Sequence, residues 1–361
     1  MHGRGVIAVG REHGIRRVLC GALAYVLALI ALVGIVCRLL PSEWSMLPYV
    51  PVIIAATPWF ALVAAVALLL ALLGRHRAIA ALMVASLALQ AFWQAPFFTN
   101  IFDKGSSSTS SASSTSSSSS AASGSSSASS SGIRVMTCNV YKGNADAEQI
   151  VSLVRSEGVQ VLALQETTKD FVSRLEKAGL GQYLPYSQTA YADGVYGNGL
   201  WSSTPLVGAV KDEVNSSASQ MPSGTVTVKG MNRSLRFVSV HTTAPVADYW
   251  SLWKRSLDEI ALLRSRSSVT SGSVTYVFMG DFNSTYDHAP FRNILGDRFA
   301  DAARQEGRGF TFSWPANRPG VPLLFAIDHI VIDRSLRSEG LTVHRISGTD
   351  HAALIDTLYV K

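Results

Sequence analysis

Cysteine is scarce in this chain of 361 residues. There are three, Cys20, Cys37 and Cys138, and no spacing among them suits a zinc site or a disulfide framework. Cys138 falls in a predicted buried strand and reads as an inert small hydrophobe. The sequence holds no Gly-X-Ser-X-Gly elbow and no P-loop, so serine-hydrolase and nucleotide-triphosphatase chemistry lack their usual residues. Basic surplus is also missing where nucleic acid would need it. Residues 1–132 carry eight Lys/Arg against three Asp/Glu, whereas residues 133–361 carry 23 against 22. The formal charge of +6 therefore belongs to the N-terminal end, where it bears on membrane topology rather than on DNA binding.

Long apolar runs fill that end: Val18 to about Leu40, roughly Val50–Leu73, and Ala78 to about Phe98. Each is close to the ~20 residues that cross a bilayer core. A signal peptide would account for the first run alone, and no small-X-small cleavage site follows it. Three transmembrane helices over 18–100 are expected, after a basic cytoplasmic segment, 1–17. Arg4, Arg11, Arg16 and Arg17 and the Arg75-His76-Arg77 loop are basic, while the Pro41–Tyr49 loop has one acid and no base. The positive-inside rule places the N-terminus in the cytoplasm and everything beyond the third span outside, in a multi-pass cell-membrane protein whose first partner is the bilayer. The spans hold almost no charge, which argues against a transport pathway through them. Residues 101–132 are mostly Ser with Ala, Thr and Gly. Nothing there can bury a core, so a flexible tether is expected, with ends on the order of 30 Å apart, lifting a globular domain off the bilayer.

That domain, 133–361, shows short β-branched runs bounded by turn residues. Strands are predicted at Ile133–Cys138, Val159–Leu164, Thr225–Lys229, Leu235–Val240, Thr275–Met279, Phe325–Val331, Leu341–Arg345 and Leu354–Val360. Helices are predicted at Ala147–Glu157, closed by Gly158, and at Asp248–Arg264. No internal repeat is visible. Many strands with a few helices point to one α/β or α+β domain with layered sheets.

Several strands end alike. The first runs into Asn139, the second into Gln165-Glu166, the fourth into His241, and the fifth into Gly280-Asp281-Phe282-Asn283. Ile327-Asp328-His329 and Gly348-Thr349-Asp350-His351 add to the set. Read alone, each piece has an ordinary explanation: a strand-ending turn, a helix-start carboxylate, a salt-bridge partner or a satisfied core histidine, the last favoured for His329. Aligned on one rim, they would gather carboxylates, amides and imidazoles without a thiolate. Hard oxygen donors of this kind suit Mg²⁺ or Mn²⁺, and a cation beside a His–Asp pair is equipment for phosphoester hydrolysis.

From Ile133 to Lys361 these pieces resemble, in order, the endonuclease/exonuclease/phosphatase superfamily and its deoxyribonuclease-like and sphingomyelinase-like branches. The resemblance implies a four-layered α/β sandwich. Carried over onto this sequence, it implies Glu166 as main metal ligand, with Asn139 and Asp350 nearby. It implies His351 as general base or phosphate-stabilising imidazole, supported by Asp328. Asp281 would orient or deprotonate water, Asn283 would donate to the phosphate, and His241 would give a proton. Ser203 stands where a basic residue often follows in the family, so phosphate contacts from that segment are not carried over. The expected activity is Mg²⁺- or Mn²⁺-dependent phosphoester hydrolysis on a lipid, nucleic acid or small molecule. A surface-tethered endonuclease or exonuclease and a catalytically inactive binding module are the alternatives.

Overall fold

The structure, a computed structural model, describes residues 4–99, 132–228, 233–265 and 274–361, with side chains from residue 16 onward. The Ser-rich tether at 101–131 and the end of the strand expected at Thr225–Lys229 lie outside the described residues.

The apolar N-terminal runs are helical: α1 (Arg4–Leu39), α2 (Val50–Ala55), α3 (Thr57–Leu73) and α4 (Arg77–Gln94). The second run differs from expectation. Pro51 and Pro58 each occupy the first turn of a helix, where a missing N–H costs nothing, and the chain breaks at Ala56 between them. Two segments, Arg16–Leu39 and Arg77–Phe97, are long and apolar enough to cross a membrane, and the 17-residue α3 is shorter. The helices meet through small residues, Ala28, Ala31, Ala64 and Ala67, while Leu29, Val36, Leu69 and Leu72 point outward.

The second part begins with β1 (Ile133–Asn139), α5 (Ala147–Glu157), β2 (Val161–Gln165), α6 (Lys169–Lys177), β3 (Tyr186–Ala190) and β4 (Asn198–Ser202). It continues with β5 (Val207–Val210), β6 (Ser223–Thr227), β7 (Ser234–His241), α7 (Trp250–Ala261) and β8 (Thr275–Asp281). It closes with α8 (Ala289–Leu295), β9 (Phe299–Asp301), α9 (Ala302–Glu306), β10 (Asp328–Asp333), β11 (Leu336–Arg345) and β12 (Ala352–Val360). Asp146 caps α5 by accepting from Gln149 N–H, and Gly158 ends it in the left-handed region, as the sequence predicts.

Two six-stranded sheets result, ordered β11-β12-β1-β2-β4-β3 and β5-β6-β7-β8-β10-β9. Each contains one parallel pair at its centre, β1/β2 joined through α5 and β7/β8 joined through α7, and is otherwise antiparallel. Val135, Val161 and Ala163 of one sheet face Phe237, Val277 and Met279 of the other. Outside the first sheet, Ile150 and Phe171 of α5 and α6 cover Met136 and Leu164, and outside the second, Trp253 and Phe291 of α7 and α8 cover Val240 and Phe278. This is a helix–sheet–sheet–helix sandwich with two mixed sheets.

The sandwich sits directly on one end of the helix bundle, in contrast to the expectation that a tether lifts it off the bilayer. Arg38 Nε lies 2.6 Å from Asp287 Oδ1, both side chains buried, and Gln94 Nε2 donates to Asp287 Oδ2 at 3.3 Å. The Trp59 indole donates to Leu324 O at 2.9 Å, and Arg304 donates to Trp93 O at 3.1 Å. In the sequence these bundle residues are only isolated polar or aromatic positions at the ends of apolar runs. Burial pushes the His288 imidazole down to about 4, and the neutral ring accepts from Thr285 N–H and pairs with Pro51 O at 2.8 Å.

Gly280 permits the close approach of β7 and β8. A Cβ there would lie 2.0 Å from Val240 O, at a φ of 152°. A Cβ on Gly158 would meet nothing, despite its positive φ. Chemical denaturation should therefore show Gly280→Ala costing about 3 kcal/mol, the upper end for overpacking, against about 1 kcal/mol for Gly158→Ala.

Candidate active site

The strand register assembles the site. β8 carries Asp281 level with His241 on its parallel neighbour β7 and with Asp328 on its antiparallel neighbour β10. Residues level with one another on adjacent strands project to the same face, so these three side chains emerge together. In the other sheet Asn139 ends β1 level with Gln165, the last residue of β2, and Glu166 follows. His351 precedes β12, which runs antiparallel to β1 and brings Thr349 to Asn139 O at 2.7 Å.

Asn139 joins the two sheets. Its Nδ2 donates to Glu166 Oε1 and to Asp281 Oδ2, each at 3.0 Å, while its Oδ1 accepts from Tyr141 N–H. Lys142 N–H donates to Glu166 Oε2 at 2.8 Å. Tyr141, Lys142, Glu166 and Asn283 all have φ in the left-handed region, a strain that clusters where backbone must be aimed at particular atoms. Asn283 N–H donates to Asp281 Oδ1 at 2.8 Å, and its side-chain amide donates to Thr242 O at 3.0 Å. That amide, expected to face a phosphate, here fixes the His241–Thr242 turn beside Asp281.

His351 Nδ1 lies 2.8 Å from Asp328 Oδ2, and its Nε2 lies 3.7 Å from Asp281 Oδ2 and 3.9 Å from Asp350 Oδ1. His241 Nε2 lies 3.7 Å from Asp281 Oδ2 and 3.9 Å from Glu166 Oε1. Burial works against charge on His351, but the Asp328 and Asp281 carboxylates outweigh it and raise the imidazole to about 10. It is therefore an imidazolium near neutral pH. Burial raises Asp281, although the neighbouring His351 pulls the other way. All eight residues singled out from the sequence, Asn139, Glu166, His241, Asp281, Asn283, Asp328, Asp350 and His351, belong to this one connected cluster.

The donor set suits a hard divalent cation. Asp350 Oδ1 and Asp328 Oδ1 are buried without a hydrogen-bond partner, so acceptor capacity is held in reserve inside a carboxylate-rich site. Ligand atoms of Asp281, Asp328 and His351 also lie within 4.8 Å of one another, although the Asp328–His351 pair already uses one atom of each. Cys138 takes no part. Its thiol donates to Asn139 O, and burial pushes its pKa well up.

His329 is the satisfied buried histidine favoured from the sequence, held by Asp301 Oδ2 at 2.6 Å and Ser284 O at 2.8 Å. Two supporting residues had no sequence signal of their own. Trp314 donates its indole to Asp350 Oδ2 at 3.1 Å, and Trp253, packed in the core under α7, also donates to Asn283 O at 2.9 Å.

Acidic and imidazole groups thus gather at the carboxyl ends of the paired central strands, between two mixed sheets. Residues 136–351 match the Endonuclease/Exonuclease/phosphatase family, and the chain belongs to it. Among solved structures, D. rerio TDP2 complexed with a single-strand DNA product aligns with a TM-score of 0.52 at 16% identity, covering 64% of this chain and all of that one. A humanized D. rerio TDP2 aligns with a TM-score of 0.50 at 15% identity, covering 63% and 99%. A Bacteroides thetaiotaomicron mannosyl-6-phosphatase aligns at 0.49 and 13% identity, covering 63% and 99%. At such identities the likeness concerns the fold. No curated protein matches by sequence.

The His351–Asp328 pair makes a signed prediction. A raised histidine contributes stability that is complete below its unfolded value, about 6.5, and is lost as pH rises through about 10. Without divalent cation, the melting temperature should fall across that window, and Asp328→Asn should flatten the fall.

Proposed function

We propose that this chain is a membrane-anchored, divalent-metal-dependent phosphoester hydrolase whose catalytic domain faces away from the cytoplasm. The observation that carries the catalytic half is the register of His241, Asp281 and Asp328 on three adjacent strands, tied through Asn139 to Glu166. The anchoring half rests on the bundle's inverted distribution, with alanine inside and leucine or valine outside, together with the basic loops expected in the cytoplasm. In this reading all three apolar runs span, α2 and α3 together forming the second.

Mg²⁺ or Mn²⁺ held by Glu166 and Asp350, with Asn139 beside them, would neutralise charge on the phosphate oxygens. Asp281, raised by burial and aligned by Asn283 N–H, takes the proton of the attacking water. His351, kept cationic by Asp328, stabilises charge developing on the phosphoryl group. His241, on the other side of Asp281, gives a proton to the leaving oxygen. Asn283 keeps the His241 turn in place through Thr242 O.

A nuclease would require a basic rim, and the near-neutral charge of 133–361 does not supply one. An inactive binding module would lack one of the acid–base residues, and every one is in place. The test is hydrolysis of a chromogenic phosphoester by the full chain with Mg²⁺, Mn²⁺ or chelator. Chelation should abolish turnover, and Asp281→Asn and Glu166→Gln should each lower it by ~10²–10⁴-fold. Metal-dependent rates that survive either substitution would refute the assignment.

A further inference from the structure

Three loops that frame the site are held by the helix bundle. The loop leaving β7 after His241 leads to Trp250, whose ring centroid is 5.7 Å from that of Tyr49. The loop leaving β8 after Asn283 carries Asp287, paired with Arg38, and His288, bonded to Pro51 O. The segment before β10 carries Phe312, stacked on Trp59, and Leu324, whose carbonyl takes the Trp59 indole proton. That same segment carries Trp314, which holds Asp350. All these bundle residues lie at one end of the helices: the C-terminus of α1, the loop after it, and the starts of α2 and α3.

The loops where bundle and sandwich meet expose apolar and aromatic side chains beside two acids, Glu43 and Asp248. Trp44, Leu47 and Tyr49 are exposed in or at the end of the loop after α1, and Val246 and Tyr249 are exposed in the loop after His241. Rings of this kind collect at the headgroup level of a bilayer. The Tyr49–Trp250 contact joins the two loops at this end of the helices. The occupant of this surface is therefore the bilayer that the helices span, and the catalytic rim lies at the headgroups.

We infer that the substrate is a phosphate ester carried by a lipid of the outer leaflet, and that the helix bundle positions the site for it. This rests on the phosphoesterase reading above. A freely dissolved ester gains nothing from a rim fixed at the bilayer, whereas a lipid held in the same membrane reaches it by lateral diffusion at high effective concentration. Arg38 acts through Asp287 and is a positioning residue, not a catalytic one.

The experiment uses the full chain with Mg²⁺ in phosphatidylcholine vesicles containing phosphatidic acid or phosphatidylglycerol. The soluble chromogenic esters p-nitrophenyl phosphate and bis(p-nitrophenyl) phosphate are assayed in parallel. One of the lipids should be cleaved, and Arg38→Met should slow that cleavage about tenfold or more by loosening the rim from the membrane. The rate on the soluble ester should stay within about twofold, because Arg38 lies outside the catalytic cluster. Trp59→Ala provides a second disruption of the same contact should Arg38→Met fail to accumulate. Cleavage of soluble ester with both lipids untouched overturns this inference and leaves the phosphoesterase reading standing. Lipid cleavage that ignores both substitutions overturns the positioning role. No turnover of any ester overturns both readings.

Discussion

The Asn139 amide donates to Glu166 of one sheet and Asp281 of the other, and this bridge sets the spacing on which the site depends. Carboxylates crowded between two sheets repel one another unless a donor or a cation sits among them. The surrounding contacts serve that arrangement. Left-handed backbone at Tyr141 and Lys142 accompanies N–H groups directed at Asn139 and Glu166, and Thr349 bonds to the Asn139 carbonyl. Gly280 lets β8 approach β7 closely enough for Asp281 to stand level with His241. The same demand explains why Asp328 is buried against His351, since the imidazolium is its counter-charge.

The second constraint lies where the sandwich meets the helices. Arg38 and Asp287 are buried together, with Gln94 also donating to Asp287. A buried pair of this kind adds little net stability over a well-packed apolar contact, but it penalises any arrangement that separates the partners. It therefore specifies how the domain sits. With Asp287 four residues beyond Asn283, the pair sets how the rim of the site sits against the helices, while the catalytic cluster is held by its own hydrogen bonds.

Much of the site was legible in the sequence because strand ends are legible. Apolar β-branched runs stop at Asn139, Gln165-Glu166, His241 and Asp281, and parallel pairing through α5 and α7 makes those stops coincide. Most strand boundaries moved by one or two residues, as where Asp281 still belongs to the ladder it was expected to follow, but β10 begins three residues later and β11 five residues earlier than predicted. The short elements were not legible. α6 buries only Phe171 and Leu175, and β9 has three residues, too few for any period to emerge. The matching strand order of the two sheets left no sequence repeat, because pairing pattern rather than side-chain identity is what they share. The docking of Arg38 on Asp287 joins positions 249 residues apart, which no local pattern can announce.

The central claim is that Glu166 and its neighbours hold a divalent cation, and anomalous scattering from crystals of the full chain grown with Mn²⁺ tests it most directly. The account predicts one peak in contact with the Glu166 and Asp350 carboxylates, with the Asn139 amide turned to present its oxygen. A peak between Asp328 and His351 instead, or no peak in the cluster at all, would contradict it.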